Sequence, residues 1–358
     1  MNGGPEMMRR DLLRLAALGG AMLASPAFAA PARRAPDAIV SRSGRAGTIG
    51  TVAAALELAR RAGRPFRIFV EAGLYHEKLR IAAPGVTLAG AGSDTIIGYD
   101  ASAGQAGPGG KPWGTSGSAS LTVEAPGVTL CDLTIANSFD FLSSRPSGEH
   151  GGRQAVALSL AAGADRTIVR RCAIAGYQDS FYLRSGRALV DSCRIAGGTD
   201  FIFGGAAALL RDCRIVSRHI PGASIQGYVA APSTPAAQEA GLVFQRCRLV
   251  REPGVPDASV FLGRPWRAGG DMSLTGMALF LDCWMDRHIR PEGWSGMRYR
   301  APGAEPGWLM PHEARLFEAG SRGPGAGWPS AIRRAAPPEL ARIERRLFGD
   351  WDPLQRMR

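Results

Sequence analysis

Six segments of the chain repeat one short pattern, an apolar strand that ends in Cys-x-apolar. Three of them are Val128 to Leu133 around Cys131, Ile168 to Ile174 around Cys172, and Leu189 to Ile195 around Cys193. The others are Leu209 to Ile215, Val243 to Leu249 and Leu279 to Met285, around Cys213, Cys247 and Cys283. Gly85-Val86-Thr87-Leu88-Ala89-Gly90 is a seventh copy without the cysteine. The cysteines are 41, 21, 20, 34 and 36 residues apart, so two intervals are one short coil and the first is about two. Short strands recurring every ~20–25 residues, with polar turns between them, fit a solenoid in which each strand pairs with its copy one coil below. A doubly wound α/β fold needs a helix between strands, and 20 residues leave little room for one. A leucine-rich repeat would carry an asparagine ladder, which is missing. The expected fold is all-β, a single-domain right-handed parallel β-helix.

Open coil ends expose unpaired backbone groups and need caps. Thr48 to Gly63 reads as an amphipathic helix ended by Gly63, suited to the first coil, and Pro338 to Leu347 carries a second helical pattern. Gly104 to Gly117 and Phe139 to Gly152 are long polar loops of the kind that wall a groove. The repeat makes the cysteines small buried core residues, with one bridge, Cys193 to Cys213, open because adjacent coils lie ~4.8 Å apart. No pair has the Cys-x-x-Cys spacing of a metal or redox site.

The first 29 residues read as an address. Arg9 and Arg10 precede an apolar stretch that ends at Ala27-Phe28-Ala29, which suggests a twin-arginine export signal. Residues 30–44 read as a linker and 45–358 as the β-helix domain. The expected location is the periplasm or the exterior. Cleavage after Ala29 lowers the formal charge of +12 by only one, and nearly all of that charge is arginine, since Lys78 and Lys111 are the only lysines. Such a charge attracts anionic partners, and by itself it does not choose among them.

No Gly-x-Ser-x-Gly, His-Glu-x-x-His, phosphate-binding glycine loop or EF-hand loop occurs, and His76, His150, His219, His288 and His312 lack ligand spacing. The carboxylates are more informative. Asp179 in Gly176-Tyr177-Gln178-Asp179 and Asp200 in Gly197-Gly198-Thr199-Asp200 are 21 residues apart, and each follows its coil's cysteine by seven. Equivalent positions on adjacent coils are spatial neighbours. Two close carboxylates cannot both ionise freely, so the pair splits into a base or nucleophile and an acid. That division suits nucleophilic displacement with general acid and base help.

At this point the residues resemble a family, the pectin methylesterases (pectinesterases). The matching segments are Gly73-Leu74-Tyr75-His76-Glu77, Gln154-Ala155-Val156-Ala157-Leu158, Gln178-Asp179-Ser180, Asp200-Phe201-Ile202-Phe203-Gly204 and Leu262-Gly263-Arg264-Pro265-Trp266, in the family's order. Gly323-Pro324-Gly325-Ala326 is similar too. The resemblance implies a bacterial exported esterase that removes methyl esters from methylated homogalacturonan, without metal or cofactor. It implies Asp200 as nucleophile, Asp179 as general acid and base, Arg264 as the group that holds Asp200 ionised, and Gln154 and Gln178 as oxyanion donors. It further implies substrate contacts from Phe203, Trp266, Thr199, Tyr182, Trp294 and Met297. A monomer that binds neither nucleic acid nor membrane is expected.

Two departures stand out. Thr199 replaces the family's usual valine, and Ser180 its usual threonine. Strict strand alternation would also send Gln178 and Asp179 to opposite faces, and likewise Asp200 and Phe203, unless the strand bends, which Gly176 and Gly204 would permit. The competing readings are a thioesterase-like or other esterase on the same scaffold, and a non-catalytic glycan-binding β-helix.

Overall fold

The computed structural model describes residues 35–146, 151–327, 332–337, 340 and 343–354. The segment read as an export signal, residues 1–29, lies outside them. Among the described residues, three parallel sheets of ten, eight and seven strands run side by side, and each coil of chain contributes one strand to each sheet in turn. The coil around the aspartates shows the plan. Thr167–Arg170 lies in the first sheet, Ala173–Ala175 in the second and Phe181–Leu183 in the third. The next coil repeats it with Arg187–Asp191, Arg194–Gly197 and Ile202–Gly204. The register between the two is Ile168 on Leu189, Ile174 on Ile195, and Phe181 on Ile202. This is the parallel β-helix that the repeat implies.

The cysteines mark the corner between the first and second sheets. The residue before each is left-handed, with Arg171, Ser192, Asp212, Arg246 and Asp282 at φ 50° to 54°. That kink turns the following cysteine into the core. Each thiol of Cys193, Cys213, Cys247 and Cys283 then donates to a carbonyl of the coil below, at 3.3 to 3.5 Å. Cys131 is out of step. It pairs with Arg170, its left-handed neighbour is the residue after it, Asp132, and the core position belongs to Leu133. The ladder therefore has five cysteines rather than six. The bridge considered between Cys193 and Cys213 is absent, since neither forms a disulfide. Each ladder thiol is already engaged along the core.

The first helix, Val52–Ala62, is shorter than the sequence pattern suggested. Thr51 caps it by accepting from the Ala54 N–H at 3.2 Å, and Glu77 accepts from the N–H groups of Val52 and Ala53 at 3.0 and 2.9 Å. Gly63 ends it at φ 62°. Val52, Ala55, Leu56 and Ala59 are buried on the face turned to the first coil.

Three boundaries differ from the sequence reading. Ala38–Val40, inside the stretch read as linker, is a strand of the first sheet paired with Ile68 to Val70. The C-terminal helix is Glu344–Phe348. With Trp351 it covers the outer face of the first sheet, packing Ile343, Leu347 and Phe348 among Ile168, Leu189, Leu209 and Val243, instead of closing a coil end. An antiparallel ribbon, Met297–Tyr299 with Gly307–Leu309, was not foreseen.

Candidate active site

The outer face of the third sheet carries the chemistry. Along its strands Phe181, Leu183 and Ile202 point into the core, so Tyr182 and Phe203 point out. Register places Tyr182 under Phe203, and Phe203 under Ala231. The Tyr182 and Phe203 rings stack 4.3 Å apart, and Trp266 leans on Phe203 at 5.7 Å and on Tyr182 at 6.4 Å. Phe203 is only 2% exposed, enclosed between its neighbours.

Asp179 and Asp200 stand just before these strands, two residues ahead of the paired Phe181 and Ile202. Both are left-handed, at φ 62° and 50°. The strand alternation that would have separated Gln178 from Asp179 therefore never applies. The bend sits at the aspartates themselves, and Gly204 lies beyond it at the strand end. Gly197 provides the room, because a Cβ there would stand 2.2 Å from that of Phe201. Gly176 is its equivalent one coil below, where a Cβ would meet the Ser180 hydroxyl at 2.7 Å. The Asp179 N–H donates to the Thr199 carbonyl at 3.1 Å, tying the two turns together.

Continuing that register upward, Tyr228 follows Asp200, and Phe261 follows Tyr228 with its ring stacked at 5.4 Å. Arg264 starts two coils above Asp200, next to the small Ala231. Its guanidinium passes 4.0 Å over the Tyr228 ring and grips Asp200 with two parallel bonds, Nε to Oδ1 at 2.9 Å and Nη2 to Oδ2 at 2.6 Å. Sequence reasoning missed Tyr228. Residues 218–226 form an insertion that hides its register, and only a known coil length reveals it.

The two carboxyls sit in different fields. Asp179 is 8% exposed, and burial, reinforced by the negative charge of Asp200, pushes its pKa well above the ordinary carboxylate range, with Arg264 opposing. Asp200 instead has a guanidinium on both oxygens. One carboxyl is biased toward its acid form, and the other is bridged on both oxygens by a guanidinium.

Gln154 and Gln178 are half-buried on adjacent coils, where the Ala155 N–H donates to the Gln178 carbonyl at 3.1 Å. Thr199 and Trp266 are also half-buried near this face, and Met297 is half-buried on the antiparallel ribbon, paired with Leu309. Trp294 is not at the surface. It is 2% exposed and packs 5.7 Å from the Phe280 ring, because its backbone bridges Gly263 as the next coil's core position. It is a core residue and makes no groove wall.

The family model for Pectinesterase matches residues 37–302. Pectinesterase A of Dickeya chrysanthemi is 33% identical over 352 residues, which cover 93% of this chain and 96% of that protein. A probable pectinesterase 56 of Arabidopsis thaliana is 35% identical over 268 residues, covering 72% of this chain and 84% of the relative. Among solved structures, a pectin methylesterase from Erwinia chrysanthemi superposes with a TM-score of 0.84 at 34% identity, covering 90% of this chain and 99% of the other. One from Yersinia enterocolitica superposes at 0.79 and 36% identity, covering 85% and 99%. Another solved pectin methylesterase, with a TM-score of 0.84, is in complex with a hexasaccharide.

Proposed function

This chain belongs to the pectinesterase family, an ester hydrolase that demethylates pectin, and we propose that Asp200 is its nucleophile and Asp179 its general acid and base. The observation that carries the assignment is the contrast between two aspartates of one register, one gripped by Arg264 and the other buried without such a grip.

In the proposed reaction Asp200 attacks the C6 carbonyl carbon of a methylated galacturonate. The tetrahedral oxyanion receives side-chain N–H donors from Gln154 and Gln178, whose neutral amides stabilise charge only as it develops. Asp179 gives its proton to the departing methoxide, so methanol leaves and an acyl-aspartate anhydride remains on Asp200. A water then attacks the anhydride, Asp179 takes the water's proton, and Asp200 is released as carboxylate. Arg264 keeps Asp200 ionised and aimed throughout. Tyr182, Trp266, Met297 and Thr199 border the sugar-binding groove, and Phe203 supports the first two rings from behind. The enzyme is proposed to act as an exported monomer, outside nucleic-acid and membrane chemistry. Methanol release from highly methylated pectin tests the activity. Its disappearance in Asp200→Ala, with the melting curve retained, tests the nucleophile, and a residual rate above a few per cent of wild type would refute that role.

A further inference from the structure

Arginines are abundant in this chain, and along the corner between the first and second sheets they are paired across coils. Arg171 holds Asp132, Arg211 holds Asp191 and Arg246 holds Asp212, all at 2.5 to 2.7 Å. The outer face of the second sheet breaks this habit. Arg194, Arg214 and Arg248 occupy one register position on three successive coils, each directly over the last, with Trp284 above them. None makes an ion pair or a side-chain hydrogen bond among the described residues. Glu252, the carboxylate closest in field to Arg194, is already held by Arg218 at 3.1 Å and by the His219 N–H at 3.2 Å.

Like charges directly opposite one another in a sheet are destabilising. Coils repeat every ~4.8 Å, so this row sets three cations at that pitch without a counter-charge. Arg194 is 9% exposed, and burial, with Arg214 and Arg218 adding repulsion, lowers its pKa to about 10. The apolar row Ala196, Val216 and Val250 runs two residues further along the same face, with Trp284 packed against it, and gives the arginine stems an apolar neighbour but the three charges no partner. Arg214 and Arg248 remain exposed, and the Arg248 guanidinium lies 4.4 Å over the half-buried Trp284 ring, which leaves an aromatic platform at the end of the row.

We propose that Arg194, Arg214, Arg248 and Trp284 form a second polysaccharide site, which binds demethylated homogalacturonan. The proposal rests on the pectin-demethylating reading above. Each turnover changes a neutral ester into a carboxylate, so the product is a row of anions, the complement of a row of guanidiniums. Arg194 precedes Asp200 by six residues on the same coil, so the row lies one sheet away from the groove. A polymer already demethylated along one stretch can rest there while a methylated stretch enters the groove.

The test uses the mature enzyme and the double variant Arg214→Ala/Arg248→Ala, two exposed positions outside the groove. Gel electrophoresis through immobilised polygalacturonate reads binding without needing activity. At about 10 mM salt, where screening is weak, the variant should bind at least about fivefold more weakly than wild type, and at about 1 M salt the difference should vanish. With fully methylated pectin in the gel, and both proteins carrying Asp200→Ala so that the gel stays methylated, retardation relative to a polysaccharide-free gel should be equal. Their kcat/KM on a short, fully methylated oligogalacturonide should also agree. Equal retardation by polygalacturonate at low salt overturns the site. So does a loss of binding to double-stranded DNA in the variant without a loss for polygalacturonate. A wild-type protein that releases no methanol refutes the functional reading instead, and the gel still decides the site.

Discussion

Asp179 and Asp200 hold one register position on neighbouring coils and share a left-handed backbone, yet Arg264 grips only Asp200, at 2.6 and 2.9 Å. A solenoid makes such a pair cheaply, because any two residues one coil apart become neighbours. What differentiates them is Arg264, which starts two coils further along and reaches back across the intervening coil, where a small residue, Ala231, leaves space and a flat ring, Tyr228, supports its path.

The raised pKa of Asp179 has a consequence for stability. A carboxyl whose folded pKa lies above its unfolded value binds its proton more tightly when folded. The stability it contributes is present below the unfolded pKa and is lost as pH rises through the folded pKa. Asp179→Asn should therefore melt higher than wild type at pH 7 to 8 and show a smaller difference near pH 4, while methanol release is abolished. Thermal melts at the two pH values check it. An unchanged or lower melting temperature at neutral pH would show that Asp179 is not an acid held in a costly field.

Gln178→Ala should lower kcat by about 10²–10³ if its amide serves the oxyanion. The fold should survive, since the contact that anchors this turn is the Gln178 backbone carbonyl to the Ala155 N–H, which the substitution keeps. Steady-state kinetics beside a melting curve separates the two roles. A fall in melting temperature with kcat retained would make the side chain structural.

Much of this was legible because a stacked fold writes itself as a period. The cysteine interval of 21 residues and the equal offset of seven placed Asp179 beside Asp200 before any coordinates. Where coils carry insertions the period fails. Cys131 shares the pattern but misses the ladder by two residues, and Tyr228 is hidden behind residues 218–226. Trp294 enters the sequence reading only as a substrate contact implied by the family resemblance. Its burial follows from a bridge to Gly263, a contact that sequence spacing alone cannot supply. The left-handed aspartates were also invisible, since Asp adopts that conformation without a composition signal.

The cysteine ladder is chemically quiet. Burial raises the thiol pKa of Cys172, Cys193, Cys213 and Cys247 well above the usual range, so almost no thiolate exists at neutral pH. An aromatic disulfide reagent should titrate at most the half-buried Cys131 readily in the native protein, the five ladder thiols slowly, and all six once it is unfolded without reductant. Four reactive thiols in the unfolded, unreduced protein would instead reveal a bridge.

His288 adds an acid-sensitive element at the last coils. It is 0% exposed, and neither ring nitrogen has a well-formed hydrogen bond among the described residues, the Asp286 backbone making only a weak contact with the ring. Burial lowers its pKa from 6.5 to about 4, with Asp286 and Asp257 pulling it up and Arg251 pushing it down. Between those values the unfolded chain binds a proton that the folded chain refuses. Stability is therefore complete above the unfolded pKa and is lost as pH falls through the folded one, a difference of about 3 kcal/mol at full extent. His288→Leu removes the titration while keeping the site apolar. The wild-type melting temperature should fall more steeply than the variant's between pH 6.5 and 4, and the two slopes should agree above pH 7. Parallel slopes throughout would mean that His288 is protonated in the fold and has found a partner there.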